Sequence, residues 1–217
     1  MIPAGGLRPA AHIGWHRRPA LVVVGHSGGM PVDTPAFEAL PGHRQSFGPY
    51  RVCLVCLGNI CRSPMAEVVL REELARAGLA DAVTAESAGT GDWHVGERMY
   101  GPARAELSRH GYDGSAHRAR QIEPSWLAAC DLVVAMDRHN LAALRAMAPD
   151  PETAGRIRLM RSFDPALTAR DPYRGEVPDP FGGTDEEVAL AFGLIDAAAK
   201  GLARQLAGFQ GTQPASM

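Results

Sequence analysis

The chain has 217 residues, 46% of them hydrophobic and 21% charged, the balance of a globular domain that buries one sizeable core. Lys and Arg number 22 against 24 Asp and Glu, so no global field steers it to nucleic acid or anionic lipid. Its four cysteines are too few for a disulfide scaffold, and with three of them at Cys53, Cys56 and Cys61 they point to chemistry in a reduced compartment.

Residues 1–49 are rich in Gly, Pro, His and Arg and carry no helical periodicity, so an extension that is disordered or weakly structured is expected. Their longest aliphatic stretch, Ala20 to Val24, falls far short of the roughly 20 residues of a membrane span or the roughly 7 to 15 of a secretory h-region. Gly25, Ser27 and Gly29 match the G-x-S-x-G spacing of a hydrolase nucleophile elbow. That architecture needs several strands ahead of its serine, and only 26 residues precede Ser27.

From Arg51 onward, β-branched runs at Val52–Val55, Ala82–Glu86, Leu132–Ala135 and Ile157–Met160 alternate with amphipathic helical stretches. Such alternation predicts an α/β fold with a parallel sheet covered on both faces. The first helix is expected to start with Ser63 as N-cap before Pro64 and to bury Ala66, Val69, Leu70, Leu74 and Ala77 until Gly78 stops it. A second spans Pro102–His110 and ends at Gly111. Thr184 and Glu187 form a capping box for the last, whose stripe runs from Val188 through Leu206 to Gly208. The residues beyond, 209–217, read as a frayed tail.

The segment RVCLVCLGNICRSPMAE carries the chemistry. A strand runs directly into a short loop and a capped helix, so loop amides and the helix N-terminus converge on one centre, an anion cradle. Arg62 adds a planar fork that can hold two phosphate oxygens at once. A thiol at the base of such a cradle is favoured as thiolate, which makes Cys56 the nucleophile. Gly58 and Asn59 suit unusual backbone angles, and Ser63 either bonds the thiolate or caps the helix. Cys53 and Cys56 also form a C-x-x-C, but no second ligand pair accompanies it. Cys53 and Cys130 read as small core residues. Cys61 has two readings, passive packing and a reversible disulfide that shields Cys56 from over-oxidation.

VCLGNICRSPMAE, followed in order by SAGTGDWHVG, HRARQ, DLVVAMDRHNL, RSFDP and VPDPFGG, resembles the low-molecular-weight protein tyrosine phosphatases of bacterial type over residues 50–208. The resemblance implies a three-layer sandwich with a central four-stranded parallel sheet, flanking helices and the phosphate loop after the first strand. It implies phosphotyrosine hydrolysis through a phosphocysteine without metal or other cofactor, with Leu57, Gly58, Asn59, Ile60, Cys61 and Ser63 around the phosphate. Asp179 in VPDPFGG is expected as general acid and base in preference to Asp171 in RDPYRG, which reads as loop surface. Trp93, His94 and Phe181 are expected as cleft walls and His117 as a brace of the loop through Asn59; Asp137 matches a family aspartate whose role stays open. The family usually carries two aromatics after this Asp-Pro, whereas here Phe181 is followed by Gly182.

The resemblance further implies phosphotyrosine proteins as partners, a bacterial tyrosine kinase among them; a monomeric cytoplasmic protein is expected, and the charge balance and short aliphatic runs argue against nucleic acid and membrane insertion. Two other functions compete. An arsenate reductase on the same fold would need two further relay cysteines, and Cys130 has no partner downstream. A non-catalytic phosphotyrosine- or phosphate-binding module would have no use for Cys56, Arg62 and Asp179 together.

Overall fold

In the computed structural model, which describes residues 39–45 and 47–211, the apolar run Tyr50–Cys56 forms β1 at the centre of a sheet. β2 (Val83–Gly89) lies on one side of it, β3 (Leu132–Ala135) on the other, and β4 (Ile157–Leu159) beyond β3. All pairs are parallel, in the order β2-β1-β3-β4. Val52, Leu54 and Cys56 face a core shared with α1 (Arg62–Arg76), α2 (Gly101–Arg109) and α6 (Asp185–Gly211). Cys53 and Val55 face a second core under α3 (Pro124–Ala129) and α4 (Arg138–Met147), which also buries Cys130. Burial on both faces is why these strands read as unbroken apolar runs.

The chain leaves β1 for β2 and then returns to the opposite side of β1 for β3. Connections therefore diverge at the carboxyl ends of β1 and β3, where open α/β sheets leave a crevice for ligands. Among the described residues no helix is long and apolar enough to cross a membrane. The Gly25-Ser27-Gly29 motif and residues 212–217 lie outside the described residues.

Several boundaries differ from the sequence reading. β2 begins at Val83 and continues past Glu86 to Gly89, because its last residues pair with the end of β1. β4 stops at Leu159, and Met160–Phe163 forms a 3-10 turn. Three further helices, α3, α4 and α5 (Pro151–Gly155), lie between the elements expected from the sequence; α3 and α5 have only six and five residues, too few for a repeating apolar stripe. Two of them carry their own caps: Asp137 accepts from the Asn140 amide and Asp150 from the Thr153 amide, each at 2.7 Å. The Thr184–Glu187 box forms in both directions, at 2.8 and 3.3 Å. Yet α6 runs through Gly208 to Gly211, since Phe209 stacks edge-on against Tyr50, 5.4 Å between centroids.

Part of the supposed extension is built into the domain. Leu40 packs on the α1/α6 core, and the Tyr50 hydroxyl donates to the Pro41 carbonyl at 3.0 Å. The Arg44 amide donates to Asp131 at 2.5 Å, while its guanidinium reaches the Cys130 carbonyl at 2.9 Å and Thr153 Oγ1 at 2.8 Å. Such a strap has no periodicity to betray it, because its bonds are to carbonyls and carboxylates distant in sequence. Arg44→Ala is expected to cost about 1.5–3 kcal/mol, the range for hydrogen bonds to a charged group. The check is a lower urea midpoint at unchanged m-value; an unchanged midpoint would mean that the strap adds nothing to stability.

Candidate active site

β1 ends at Cys56 and α1 begins at Arg62, so Leu57–Cys61 must turn the chain within five residues. The turn is made at Asn59, whose φ of 55° lies in the left-handed region that asparagine tolerates better than most residues. Its amide then points at Cys56 Sγ, 3.3 Å away. The fully buried side chain ties the loop down: Nδ2 donates to Ser63 Oγ and Ser87 Oγ, both at 2.9 Å, and Oδ1 accepts from the Arg120 amide at 2.8 Å. Gly58 serves sterically and not through its φ: a Cβ there would sit 2.8 Å from His94 Cδ2.

Ser63 does not cap α1. Cys61 occupies the N-cap position without a side-chain bond, and Ser63 sits in the first turn with its hydroxyl directed inward. Ser63 Oγ is 3.1 Å from Cys56 Sγ and 3.2 Å from the Ala88 carbonyl. Since it already accepts from Asn59, its one proton serves either the carbonyl or the sulfur. The buried Cys61 lies next to Cys56, and desolvation pushes its thiol well above the ordinary range, with Cys56 and Asp179 acting in the same direction.

Arg62 is 2% exposed and held from two sides. Nη1 donates to Asp137 Oδ2 at 2.7 Å and to the Val177 carbonyl at 3.1 Å, and Nη2 donates to Asp179 Oδ2 at 2.7 Å. Among the described residues its buried Nε–H has no acceptor, a donor left for an anion. Asp137 also caps α4 through Oδ1, so one carboxylate fixes both a helix start and the guanidinium. That assigns geometry to a residue whose role the sequence left open. Ser87 and Glu67, 2.6 Å apart beneath Asn59, were missed; a serine at a buried strand position was the available signal.

Asp171 is not loop surface. It bonds Arg161 Nη1 at 2.8 Å and accepts from the Gly175 amide at 2.7 Å, with a side chain 9% exposed. Burial alone would raise its pKa, but the Gly175 amide and Arg161 outweigh that and hold it below the usual carboxylate value.

A cavity of about 220 Å³ opens over the loop. Cys56, Cys61 and Arg62 line its base with Leu57, Gly58 and Ile60, while Trp93, His94, Phe181 and Asp179 form its walls. Asn59, Ser63 and His117 are not in that lining but support it from behind. A larger groove of about 750 Å³ lies along α1 and β2; it holds neither Cys56 nor Arg62, so the chemistry belongs to the smaller cavity.

His117 Nε2 bonds the Asn59 carbonyl at 2.6 Å, which makes the neutral ring the donor through Nε2–H. Burial lowers its pKa below the usual imidazole value, with the Asn59 bond and Glu67 opposing. Below about pH 6.5 the unfolded chain therefore binds the proton more readily than the folded one. The stabilisation is complete above that pH and is lost as pH falls. Between pH 7.5 and 5.5 the wild-type urea midpoint is expected to drop more steeply than that of His117→Gln; parallel profiles would contradict it.

A buried cysteine at the base of a strand–loop–helix turn, backed by an arginine six residues on and faced by an aspartate, defines the class of Cys-x5-Arg phosphate-ester sites. The family model described as low molecular weight phosphotyrosine protein phosphatase matches residues 51–210. A Streptomyces coelicolor protein named low molecular weight protein-tyrosine-phosphatase is 48% identical over 153 residues, covering 70% of this chain and 91% of the relative. The crystal structure of YfkJ from Bacillus subtilis matches with a TM-score of 0.65 at 34% identity, covering 78% of this chain and 100% of that one. Wzb of Vibrio vulnificus, solved in complex with benzylphosphonate, matches at 0.60 and 27% identity, covering 72% and 99%. The chain belongs to the low molecular weight phosphotyrosine protein phosphatases.

Proposed function

We propose that this protein hydrolyses phosphotyrosine monoesters through a phosphocysteine intermediate, with Cys56 as nucleophile, Arg62 as phosphate clamp and Asp179 as general acid and base. The observation that carries the reading is the convergence of Cys56, Arg62 and Asp179 on one cavity. The Cys56 thiolate attacks phosphorus, the P–O bond breaks, and its electron pair leaves on the phenolate, which takes a proton from Asp179. Asp179, now a carboxylate, removes a proton from water; the water attacks phosphorus and the thiolate departs. The Ser63 proton turns from the Ala88 carbonyl to the departing sulfur, and the Asn59 amide lies on the same atom. The incoming phosphate dianion competes with Asp179 for Arg62 Nη2, which releases the carboxylate to take up a proton from solvent and meet the leaving oxygen as the acid.

Trp93 and Phe181, 60% and 54% exposed, flank a slot suited to an aryl ring, and a phosphoserine side chain is too short to carry its phosphate past them to Cys56. A phosphotyrosine protein, including a tyrosine kinase, is then the substrate, and a cytoplasmic compartment fits four unpaired, buried thiols. Where a peroxide oxidises the Cys56 thiolate to a sulfenic acid, the Cys61 thiol displaces its hydroxyl as water to form a disulfide, which a cellular dithiol reduces while becoming a disulfide itself. The reading is tested by hydrolysis of p-nitrophenyl phosphate, a phosphotyrosine peptide and a phosphoserine peptide in EDTA and reductant. Turnover of the first two alone supports it; an inert protein, or equal turnover of phosphoserine, contradicts it.

A further inference from the structure

Two glycines follow Phe181, Gly182 with φ 75° and then Gly183, so its own loop offers the exposed ring no side-chain support on that side. The support comes from another element. The Tyr100 ring stands 5.1 Å from that of Phe181 at 55°, closer than His94 at 5.9 Å. Tyr100 is the N-cap residue of α2, packs half-buried against the α1/α6 core, and donates its amide to the Ile60 carbonyl of the catalytic loop at 2.7 Å. One residue thus joins the core, the floor of the cavity and its Phe181 wall.

The geometry points to Tyr100 as a positioning residue that braces Phe181 from outside its own loop and sets it against the aryl ring of the substrate. This rests on the proposed phosphotyrosine specificity. Phe181 lies two residues from Asp179, whose Oδ1 accepts its amide at 3.3 Å, so the same stack also limits where the carboxyl can swing. Tyr100 itself does not line the cavity and touches no phosphate. Its ring, and not its hydroxyl, performs the role.

The test measures binding of a phosphotyrosine peptide and of inorganic phosphate by calorimetry in the Cys56→Ser protein, where turnover does not intervene. Tyr100→Leu, which keeps apolar volume against the core, is expected to weaken the peptide about 2- to 10-fold, the worth of one aromatic pair, and to leave phosphate unchanged. Tyr100→Phe should restore peptide binding, and Tyr100→Leu should add nothing once Phe181→Ala is present. Equal losses for peptide and phosphate would indicate general damage to the loop and overturn the inference, as would additive effects with Phe181→Ala or no effect at all. A Cys56→Ser protein that binds phosphate but no peptide would instead count against the phosphotyrosine reading itself.

Discussion

Cys56→Ser is expected to abolish hydrolysis while leaving phosphate recognition in place. A serine hydroxyl is not ionised near neutral pH, and removing a nucleophile costs on the order of 10⁵- to 10⁶-fold in kcat. The Asn59 amide, Arg62 and the α1 N-terminus remain, so a phosphotyrosine peptide should still bind with an affinity measurable by calorimetry. In rapid-quench experiments the wild type accumulates phosphorylated enzyme with a burst of phenol and the variant none. Residual turnover within about 100-fold of wild type, too small a loss for a missing nucleophile, would remove Cys56 from the mechanism.

The second large effect belongs to Asp179. Asp179→Asn is expected to lower kcat on phenyl phosphate or a phosphotyrosine peptide by about 10²- to 10⁴-fold, the usual worth of a general acid. On p-nitrophenyl phosphate, whose phenolate leaves without a proton, the loss should be far smaller. Because Asp179 holds Arg62 Nη2 in the unliganded site, its removal should also tighten inhibition by inorganic phosphate. Asp171→Asn separates the two candidates. Its carboxylate serves Arg161 and Gly175, so stability should fall while both substrates keep their ratio. A leaving-group effect at Asp171, and none at Asp179, would transfer the acid to the other loop.

The readings that came from the sequence were those written in local order. Strand, loop and helix are contiguous from Arg51 to Arg76, so the anion cradle could be inferred from Cys56, Asn59 and Arg62 without tertiary information. The apolar runs of β1 and β3 announced a sheet buried on both faces, and the Thr184–Glu187 box announced the start of α6. These features depend on chain stereochemistry and spacing, which neighbouring residues determine among themselves.

What tertiary structure decided is of another kind. Ser63 has the composition of an N-cap, yet its hydroxyl faces Cys56 because the five-residue loop places it over Asn59 and not at the helix entrance. Asp171 and Asp179 both precede proline and an aromatic, and the family resemblance favours Asp179; the fold adds that Asp179 pairs with Arg62 while Asp171 pairs with Arg161. Arg44 and Tyr100 act on partners distant in the chain, at Cys130, Thr153 and Phe181. Composition and periodicity report on which face of an element is apolar. They carry no record of which polar groups the folded chain brings within hydrogen-bonding distance, and here that pairing turns a phosphate cradle into a site with an oriented arginine and a braced wall.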